Sequence, residues 1–290
     1  MSWRSSIPTR RNPPPNLRSL DRRIDNLARE HGAPVGRVRR HVAIVTLGQM
    51  TPPGLIVVTG ASGIELRKGT VNSRVSGDLD VVRTQDLEGF ADTIAERLRT
   101  GWGGFSGRIS AGREVETPVP SPYRPHRFAV GLDFLGNPFG TTILEVSPDE
   151  LHSAVQPDTV DSPDAAGWFA QLGLPQPRPL PTLPVAWQIV QKIHACSAPD
   201  TEDWVNPRAH DLVDLQLLSA GVGDDLSEPR RCALQLFAYR QKHPWPPRIT
   251  ERAGWRDLYE TAARDLPVMP DLPRALAVCN RLIEAIDRAT

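Results

Sequence analysis

The feature that most constrains the fold is a short aliphatic run that ends in a turn of small residues. Residues 55–59 read Leu-Ile-Val-Val-Thr, and Gly-Ala-Ser-Gly follows directly at residues 60–63. β-Branched and aliphatic residues bounded by glycines predict a short buried strand. The turn of small residues predicts a change of direction into a helix over residues 64–68. A strand, a tight turn and a helix in this order indicate a domain of mixed α/β structure.

The spacing of apolar residues predicts further elements on both sides of this strand and turn. A spacing of three or four residues indicates amphipathic helices, and short apolar runs between turn residues indicate strands. The predicted elements are helices over residues 17–30, 35–50 and 85–99, a strand over 78–82, and a hairpin of strands 127–134 and 139–146 with Gly136-Asn137 at its turn. The first half of the chain is therefore predicted to combine helices with a sheet.

The composition changes near residue 153, and helical spacing dominates beyond residue 184. The predicted helices of this second half cover residues 186–196, 209–220, 229–241, 255–265 and 273–288. Four segments are therefore predicted, namely a flexible basic arm (1–16), an α/β domain (17–152), a Pro-rich linker (153–184) and a helical domain (185–290). The fold class that follows is α+β.

The formal net charge of zero conceals an uneven distribution of charge. Residues 1–40 contain ten arginines against three acidic residues, a net charge of +7, so the remaining 250 residues carry −7. A basic segment can follow a phosphate backbone, but it can equally be a solvated tail that aids solubility. Composition does not distinguish these alternatives.

Several function classes are excluded or disfavoured by absent patterns. The longest aliphatic run, residues 55–58, is too short to span a bilayer, and no apolar signal core follows Met1, so a cytoplasmic protein without a membrane partner is expected. Cys196, Cys232 and Cys279 lack metal-type spacing and are expected to be buried free thiols. The P-loop and the dinucleotide-binding glycine fingerprints are also absent, which disfavours those nucleotide-binding folds.

A pair of carboxylates, Asp78 and Asp80, is the first candidate for chemistry. Residues i and i+2 of a strand point to the same side, so both carboxylates converge there. Mg²⁺ binds one or two carboxylates and completes its shell with phosphate and water, although such a triplet also occurs at solvated strand ends. The upstream glycine-rich turn favours the metal interpretation, because its N–H groups can approach phosphate. Glu145 alternates inward and could complete a two-metal centre.

A second candidate lies in the predicted helical half. Lys192 projects from an apolar helix face, where an unpaired ammonium is costly. Asp211 and Asp214 stand one turn apart on the next helix and share a face with leucines. These groups either form a structural ion pair between two helices or hold Lys192 for contact with a ligand phosphate.

Four ordered motifs resemble those of the AbiEii/AbiGii nucleotidyltransferase toxin family, and most closely its mycobacterial MenT branch. The stretches that carry the resemblance are Val58-Thr59-Gly60-Ala61-Ser62-Gly63-Ile64-Glu65-Leu66-Arg67, Ser73-Arg74-Val75-Ser76-Gly77-Asp78-Leu79-Asp80, Ala186 to Ala195, and Arg208 to Leu215. The stretch His243 to Arg248 is also shared with the MenT branch. The resemblance extends from about Asn16 onward.

The resemblance implies a polymerase-β-like nucleotidyltransferase core followed by a helical domain that completes the nucleotide site. It implies transfer of a nucleoside monophosphate from a nucleoside triphosphate to the 3′ acceptor end of tRNA, which blocks translation. It also implies Mg²⁺ as the cofactor, with Mn²⁺ as a substitute, and a cognate antitoxin as a protein partner.

The family's functional residues carry over by position. Asp78 and Asp80 would be catalytic metal ligands, with Glu145 as a third. Lys192 and Asp214 would be catalytic residues that act on the triphosphate. The nucleotide-binding residues would be Gly60, Ala61, Ser62, Arg67, Arg74 and Asp211.

One position departs from the family pattern. Relatives often have Lys-Gly-Gly where this chain has Thr59-Gly60-Ala61, so a phosphate-binding cation is missing there. Its role could move to Arg67, Arg74 or Lys192. Two alternatives therefore stay open, a nucleotide-binding protein with weak or no transfer activity and a nucleotidyltransferase that modifies protein.

Overall fold

The computed structural model describes residues 11–115 and 124–290, which form two compact units. The first unit contains the residues up to Thr70, Val75–Glu150 and Thr159–Thr182, and the second contains Val71–Arg74, Leu151–Asp158 and Leu183–Thr290. The first unit is a mixed sheet with helices, and the second is helical. The predicted α+β class is therefore confirmed.

The first unit contains five α-helices and eight strands in the part of the chain that the structure describes. Its helices are α1 (Leu17–Glu30), α2 (Val35–Met50), α3 (Gly60–Lys68), α4 (Leu87–Thr100) and α5 (Ala165–Leu172). Its strands are β1 (Ile56–Val58), β2 (Asp78–Arg83), β3 (Phe105–Ile109), β4 (Arg113–Glu114), β5 (His126–Phe134), β6 (Asn137–Pro148), β7 (Asp158–Val160) and β8 (Leu180–Thr182). The observed α1 and α2 cover the predicted ranges.

The strands form one mixed sheet in the order β3-β5-β6-β2-β1-β8-β7, with β4 also paired to β5. Strand β2 runs parallel to β6 and antiparallel to β1, and β1 runs parallel to β8. The apolar core of this unit packs between the sheet and its helices, with Leu20, Phe90 and Val81 among its fully buried residues. Strand β2, which carries the predicted carboxylate pair, is therefore an internal strand with a neighbour on each side.

Local capping explains where two of these helices begin. The side chain of Asn16 accepts a hydrogen bond from the backbone N–H of Ser19 at 2.9 Å, and Asp86 accepts one from Gly89 at 2.7 Å. Each cap satisfies a backbone N–H that has no partner within the helix.

The turn of the β5–β6 hairpin lies one residue earlier than predicted. Leu135 and Gly136, with φ values of 48° and 77°, form the two-residue connection, and Asn137 begins β6. A two-residue turn with positive φ at both positions matches the right-handed twist of the strands. The predicted turn at Gly136-Asn137 was wrong because the pairing register shifts near Asp133, which the sequence pattern does not reveal.

The segment 153–184, predicted to be a Pro-rich linker, contains regular structure, which corrects that prediction. It contains β7, α5 and β8, and Trp168, Phe169 and Leu172 of α5 have at most 2% of their surface exposed. The proline and aspartate content of the segment suggested a linker, but Trp168 and Phe169, with Leu172 one turn later, bury one face of α5 in the core.

The predicted flexible arm, residues 1–16, is only partly within the described structure, because residues 1–10 lie outside it. Within residues 11–16, the N–H of Arg11 donates to the carbonyl of Ala170 at 3.2 Å. One guanidinium nitrogen of Arg23 donates to the carbonyls of Asn12 and Leu172, both at 2.7 Å. Residues 11–16 are therefore held against α1 and α5, contrary to the prediction of a flexible arm.

Several arginines of the basic N-terminal region are used within the first unit. Arg37 and Arg40 each lie 3.8 Å from the buried carboxylate of Glu65 on α3, which His41 also contacts at 2.9 Å. Arg39 donates to the carbonyl of Phe139 at 3.1 Å through Nε. A part of the positive charge of residues 1–40 therefore stabilises the fold and is not available to a partner.

The second unit consists of five helices in the part of the chain that is described. They are α6 (Val185–Ser197), α7 (Asp211–Ser219), α8 (Ser227–Arg240), α9 (Trp255–Ala263) and α10 (Leu272–Arg288), and a 3₁₀ turn at Arg208–His210 precedes α7. All three cysteines are buried and free, as predicted. Within the described ranges, no helix combines the length and apolar character that crossing a bilayer requires.

Candidate active site

The register of the sheet places three carboxylates on one face of the first unit. Asp78 and Asp80 are two residues apart on β2, so their side chains share a face. Asp80 is directly opposite Glu145 of β6 in a parallel pair, and Glu145 is opposite Arg127 of β5. The acidic face, defined here as Asp78, Asp80 and Glu145, thus has one arginine beside it.

The glycine-rich turn packs directly against this face. Gly60 has φ of +59°, and a Cβ atom there would lie 2.0 Å from Oδ2 of Asp80. The N–H of Thr59 donates to the carbonyl of Asp80 at 2.9 Å, which fixes the turn to the strand. Only glycine fits at residue 60, because both the positive φ and the close approach exclude a side chain.

Helix α3 begins at Gly60, four residues earlier than predicted, so the small residues form its first turn. Ala61 and Ser62 are buried, and the hydroxyl of Ser62 donates to the carbonyl of Asp78 at 2.7 Å. The first turn of a helix leaves backbone N–H groups unpaired and suits a phosphate oxygen. Arg67 lies in the last turn of α3, about 10 Å from Gly60 along the helix axis, so the helix does not bring these two predicted residues together.

Arg127 bridges two carboxylates of the acidic face. Its Nε atom lies 2.7 Å from Oε2 of Glu145, and its NH2 atom lies 3.7 Å from Oδ2 of Asp78. The hydrogen bond to Glu145 raises the pKa of Arg127 above its ordinary value, with a further contribution from the charges of Asp78 and Asp80. Arg127 is therefore a permanent cation at this face.

The donor chemistry of Asp78 and Asp80 fits a divalent metal ion. Both side chains are only partly buried, and carboxylate oxygens are the protein ligands that Mg²⁺ prefers. Across the described ranges, no group of three or more His, Cys, Asp or Glu side chains is arranged to hold a metal. The structure therefore offers a two-carboxylate site, while Glu145, the predicted third ligand, is paired with Arg127.

The second unit contains a buried ion cluster, defined as Arg74, Lys192, Asp211 and Asp214. Nζ of Lys192 on α6 lies 2.7 Å from Asp211 and 2.7 Å from Asp214, both on α7 and both fully buried. Arg74 contacts both carboxylate oxygens of Asp214 at 2.8 Å. The predicted pairing of Lys192 with these acids is therefore present, and Arg74 completes it.

Opposite charges compensate for burial within this cluster. Burial alone would lower the pKa of Lys192, but the carboxylates of Asp211 and Asp214 outweigh it, and the pKa is raised. The ammonium of Lys192 likewise lowers the pKa of Asp211, although burial acts in the opposite direction. Lys192 and Asp211 are consequently both charged at neutral pH.

Two residues that sequence analysis did not select lie at the edge of the cluster. Arg208, half exposed, lies 3.8 Å from Asp211, and Nε2 of His210 lies 3.6 Å from it. Burial lowers the pKa of His210, so its imidazole is neutral at pH 7. With Lys192 and Arg74, Arg208 gives three cations around two carboxylates, and the local net charge is positive.

Arg127 was also missed by sequence analysis, because its partner depends on the register of the β5–β6 hairpin. The hairpin turn at Leu135-Gly136, together with the register shift between Leu132 and Asp133, puts Arg127 opposite Glu145. The turn assigned one residue later gives the wrong cross-strand partner, so this pair depends on the correct register.

Two comparisons with known proteins found matches. The family model for the nucleotidyl transferase AbiEii toxin of type IV toxin–antitoxin systems matches residues 53–281. Among solved structures, MenT4, a nucleotidyltransferase toxin from Mycobacterium tuberculosis H37Rv, is similar with a TM-score of 0.52 and 17% identity, over 91% of this chain and 97% of that chain. At this identity the likeness shows the fold alone. No curated protein sequence matches significantly.

Proposed function

The chain belongs to the AbiEii family of nucleotidyltransferase toxins from type IV toxin–antitoxin systems, and on this premise we propose that it transfers a nucleoside monophosphate to the 3′ end of tRNA. The observation that supports the proposal is the approach of Gly60 to Asp80, because the first turn of α3, whose N–H groups suit a phosphate oxygen, then lies beside this carboxylate. Nucleoside triphosphate and RNA would meet at this acidic face. A cognate antitoxin is the expected protein partner.

In the proposed reaction, the 3′-hydroxyl oxygen of RNA attacks the α-phosphorus of the triphosphate. The new oxygen–phosphorus bond replaces the bond to pyrophosphate, which leaves, and the proton of the hydroxyl group passes to solvent. Asp78 and Asp80 would hold Mg²⁺ or Mn²⁺, which when bound supplies a Lewis acid for the attacking and leaving oxygens. The backbone N–H groups at Gly60, Ala61 and Ser62 would orient the phosphates.

Lys192 is proposed to neutralise charge on the triphosphate. Its contacts with Asp211 and Asp214 hold the ammonium in one position, so little conformational entropy is lost when a phosphate oxygen binds. Arg74, paired with Asp214, and the half-exposed Arg208 add positive charge at the same cluster.

Recognition of tRNA is proposed to use exposed arginines of the N-terminal region. Arg11, Arg18, Arg22 and Arg29 are exposed, in contrast to the arginines that pair within the first unit. Proteins contact tRNA largely through its shape and backbone, so such charges give affinity with little sequence dependence. Charge reversal of Arg18 and Arg22 together should weaken tRNA binding and reduce its dependence on salt concentration. An unchanged slope would show that these arginines serve solubility.

One experiment tests the proposed activity directly. The protein is incubated with each labelled nucleoside triphosphate, Mg²⁺ and total tRNA, and the products are separated on a denaturing gel. Label on RNA is expected for the wild type and for Asp133→Asn, a control on β5 outside the acidic face, and its loss is expected for Asp80→Asn. Label on protein would identify a protein acceptor, and no label on RNA or protein would show that the protein does not transfer the nucleotide. Either result would refute transfer to tRNA.

A further inference from the structure

The three carboxylates of the acidic face repel one another unless a cation lies between them. Asp78, Asp80 and Glu145 occupy neighbouring positions on β2 and β6, and like charges so close repel one another. Arg127 contacts two of them, on two different strands. Its guanidinium therefore stabilises the face when no metal ion is bound.

Arg127 and the two carboxylates that it contacts are all accessible to solvent, so water can compete for these contacts. Half of its side chain, 51%, is exposed, and the side chains of Asp78 and Glu145 are 32% and 21% exposed. A pair in contact with water contributes little net free energy and breaks readily. Lys192, by contrast, is 11% exposed and contacts two fully buried carboxylates, so its ion pairs are shielded from solvent.

We propose that Arg127 is an exchangeable counter-ion of the acidic face, which a divalent metal displaces when it binds. The inference rests on the proposed metal chemistry at Asp78 and Asp80, and it adds a residue that regulates access to that site. Asp78 would exchange its contact with the guanidinium for the metal ion. Glu145 would become free to act as a ligand or to bind a metal-bound water. Arg127 thus competes with the metal.

The proposal predicts that metal affinity rises when Arg127 is removed. Manganese binding is measured by the electron paramagnetic resonance signal of free Mn²⁺, at constant ionic strength and without nucleotide or RNA. Arg127→Gln should bind Mn²⁺ about three- to tenfold more tightly than the wild type, the range expected from losing one partly exposed charge. Arg127→Lys, which keeps the charge but loses the Nε donor, should fall between the two.

Arg108→Gln is the matched control. Arg108 lies on β3, is more exposed than Arg127 and pairs with Asp133 at 3.0 Å, so its removal changes the net charge equally without touching the acidic face. Its Mn²⁺ affinity should stay close to the wild-type value. A gain equal to that of Arg127→Gln would show a general charge effect and overturn the proposal.

Unchanged or weakened Mn²⁺ binding in Arg127→Gln would also overturn it, since Arg127 would then not compete with the metal. Should that variant fail to fold, as judged by circular dichroism, the comparison of Arg127→Lys with the wild type gives the same test. Asp78→Asn must abolish the tight Mn²⁺ site, which assigns the signal to the acidic face. This experiment measures Mn²⁺ binding and not nucleotide transfer. Its result can therefore be distinguished from a failure of the proposed transferase activity.

Discussion

Substitution of Gly60 by alanine tests the close contact on which the proposed site depends. The added Cβ would lie 2.0 Å from Oδ2, 2.7 Å from Cγ and 2.9 Å from Cβ of Asp80. The turn cannot retreat easily, because the N–H of Thr59 donates to the carbonyl of Asp80. The carboxylate of Asp80 must therefore leave its position.

The structure separates two contributions to the cost of this substitution. A φ of +59° disfavours alanine by about 1–2 kcal/mol whatever its surroundings. Displacement of Asp80 adds about 1–3 kcal/mol, the usual cost of overpacking a close contact. Gly60→Ala should therefore lower the free energy of unfolding by about 2–5 kcal/mol.

Gly54→Ala is the matched control for the first contribution. Gly54 also has a positive φ, +81°, but a Cβ there would meet no atom within 4 Å. Urea unfolding should show a loss of about 1–2 kcal/mol for Gly54→Ala. Nucleotide transfer should stay near the wild-type rate in this control, whereas Gly60→Ala should lose at least about 100-fold, since displacement of a catalytic group by about 1 Å has that effect.

Equal stability losses in the two variants would refute the contact between residue 60 and Asp80. Combination with Asp80→Ala provides a second test, because it removes the atoms at 2.0 Å and 2.7 Å. The cost of Gly60→Ala should then fall toward that of Gly54→Ala. An unchanged cost would show that backbone strain alone explains the loss.

Three further predictions concern the ion cluster, pH and the core. Lys192→Met should lower the free energy of unfolding by about 3–5 kcal/mol, because Asp211 and Asp214 lose a buried cation. A loss below about 1 kcal/mol in urea unfolding would contradict this prediction. Burial lowers the pKa of His194 to about 3, so between pH 7 and pH 5 this side chain binds a proton in the unfolded chain but not in the folded protein. Acidification over this range should therefore lower the free energy of unfolding by about 2 kcal/mol. In His194→Gln, the free energy of unfolding measured in urea should depend less on pH. An unaltered pH dependence would show that His194 is not its source. Trp168→Ala should cost about 3–5 kcal/mol by thermal or urea unfolding, whereas a flexible linker would tolerate it.

The elements that depend on local pattern were predicted from the sequence with small errors. Helices α1 and α2 cover the predicted residues, because apolar spacing and an N-cap such as Asn16 are properties of neighbouring residues. The segment 153–184 was misread because its composition resembles a linker. Burial of Phe169 depends on packing against distant parts of the first unit, which composition does not report.

The candidate site also combines features that the local sequence pattern predicts with features that depend on distant contacts. The shared face of Asp78 and Asp80 follows from strand periodicity, and the pairing of Lys192 with Asp211 and Asp214 follows from helical spacing and the cost of burying charge. These relations are visible in the sequence because each carboxylate pair lies within one element.

The sequence by itself determined the family, the α+β class, the carboxylate pair and the small-residue turn, since each rests on contiguous residues. The tertiary structure decided which arginine pairs with which carboxylate. Arg127 reaches Glu145 across 18 residues through hairpin register, and Arg74 reaches Asp214 across 140 residues through packing of the chain. Such pairs depend on strand register and on the burial of whole elements, so no local pattern specifies them.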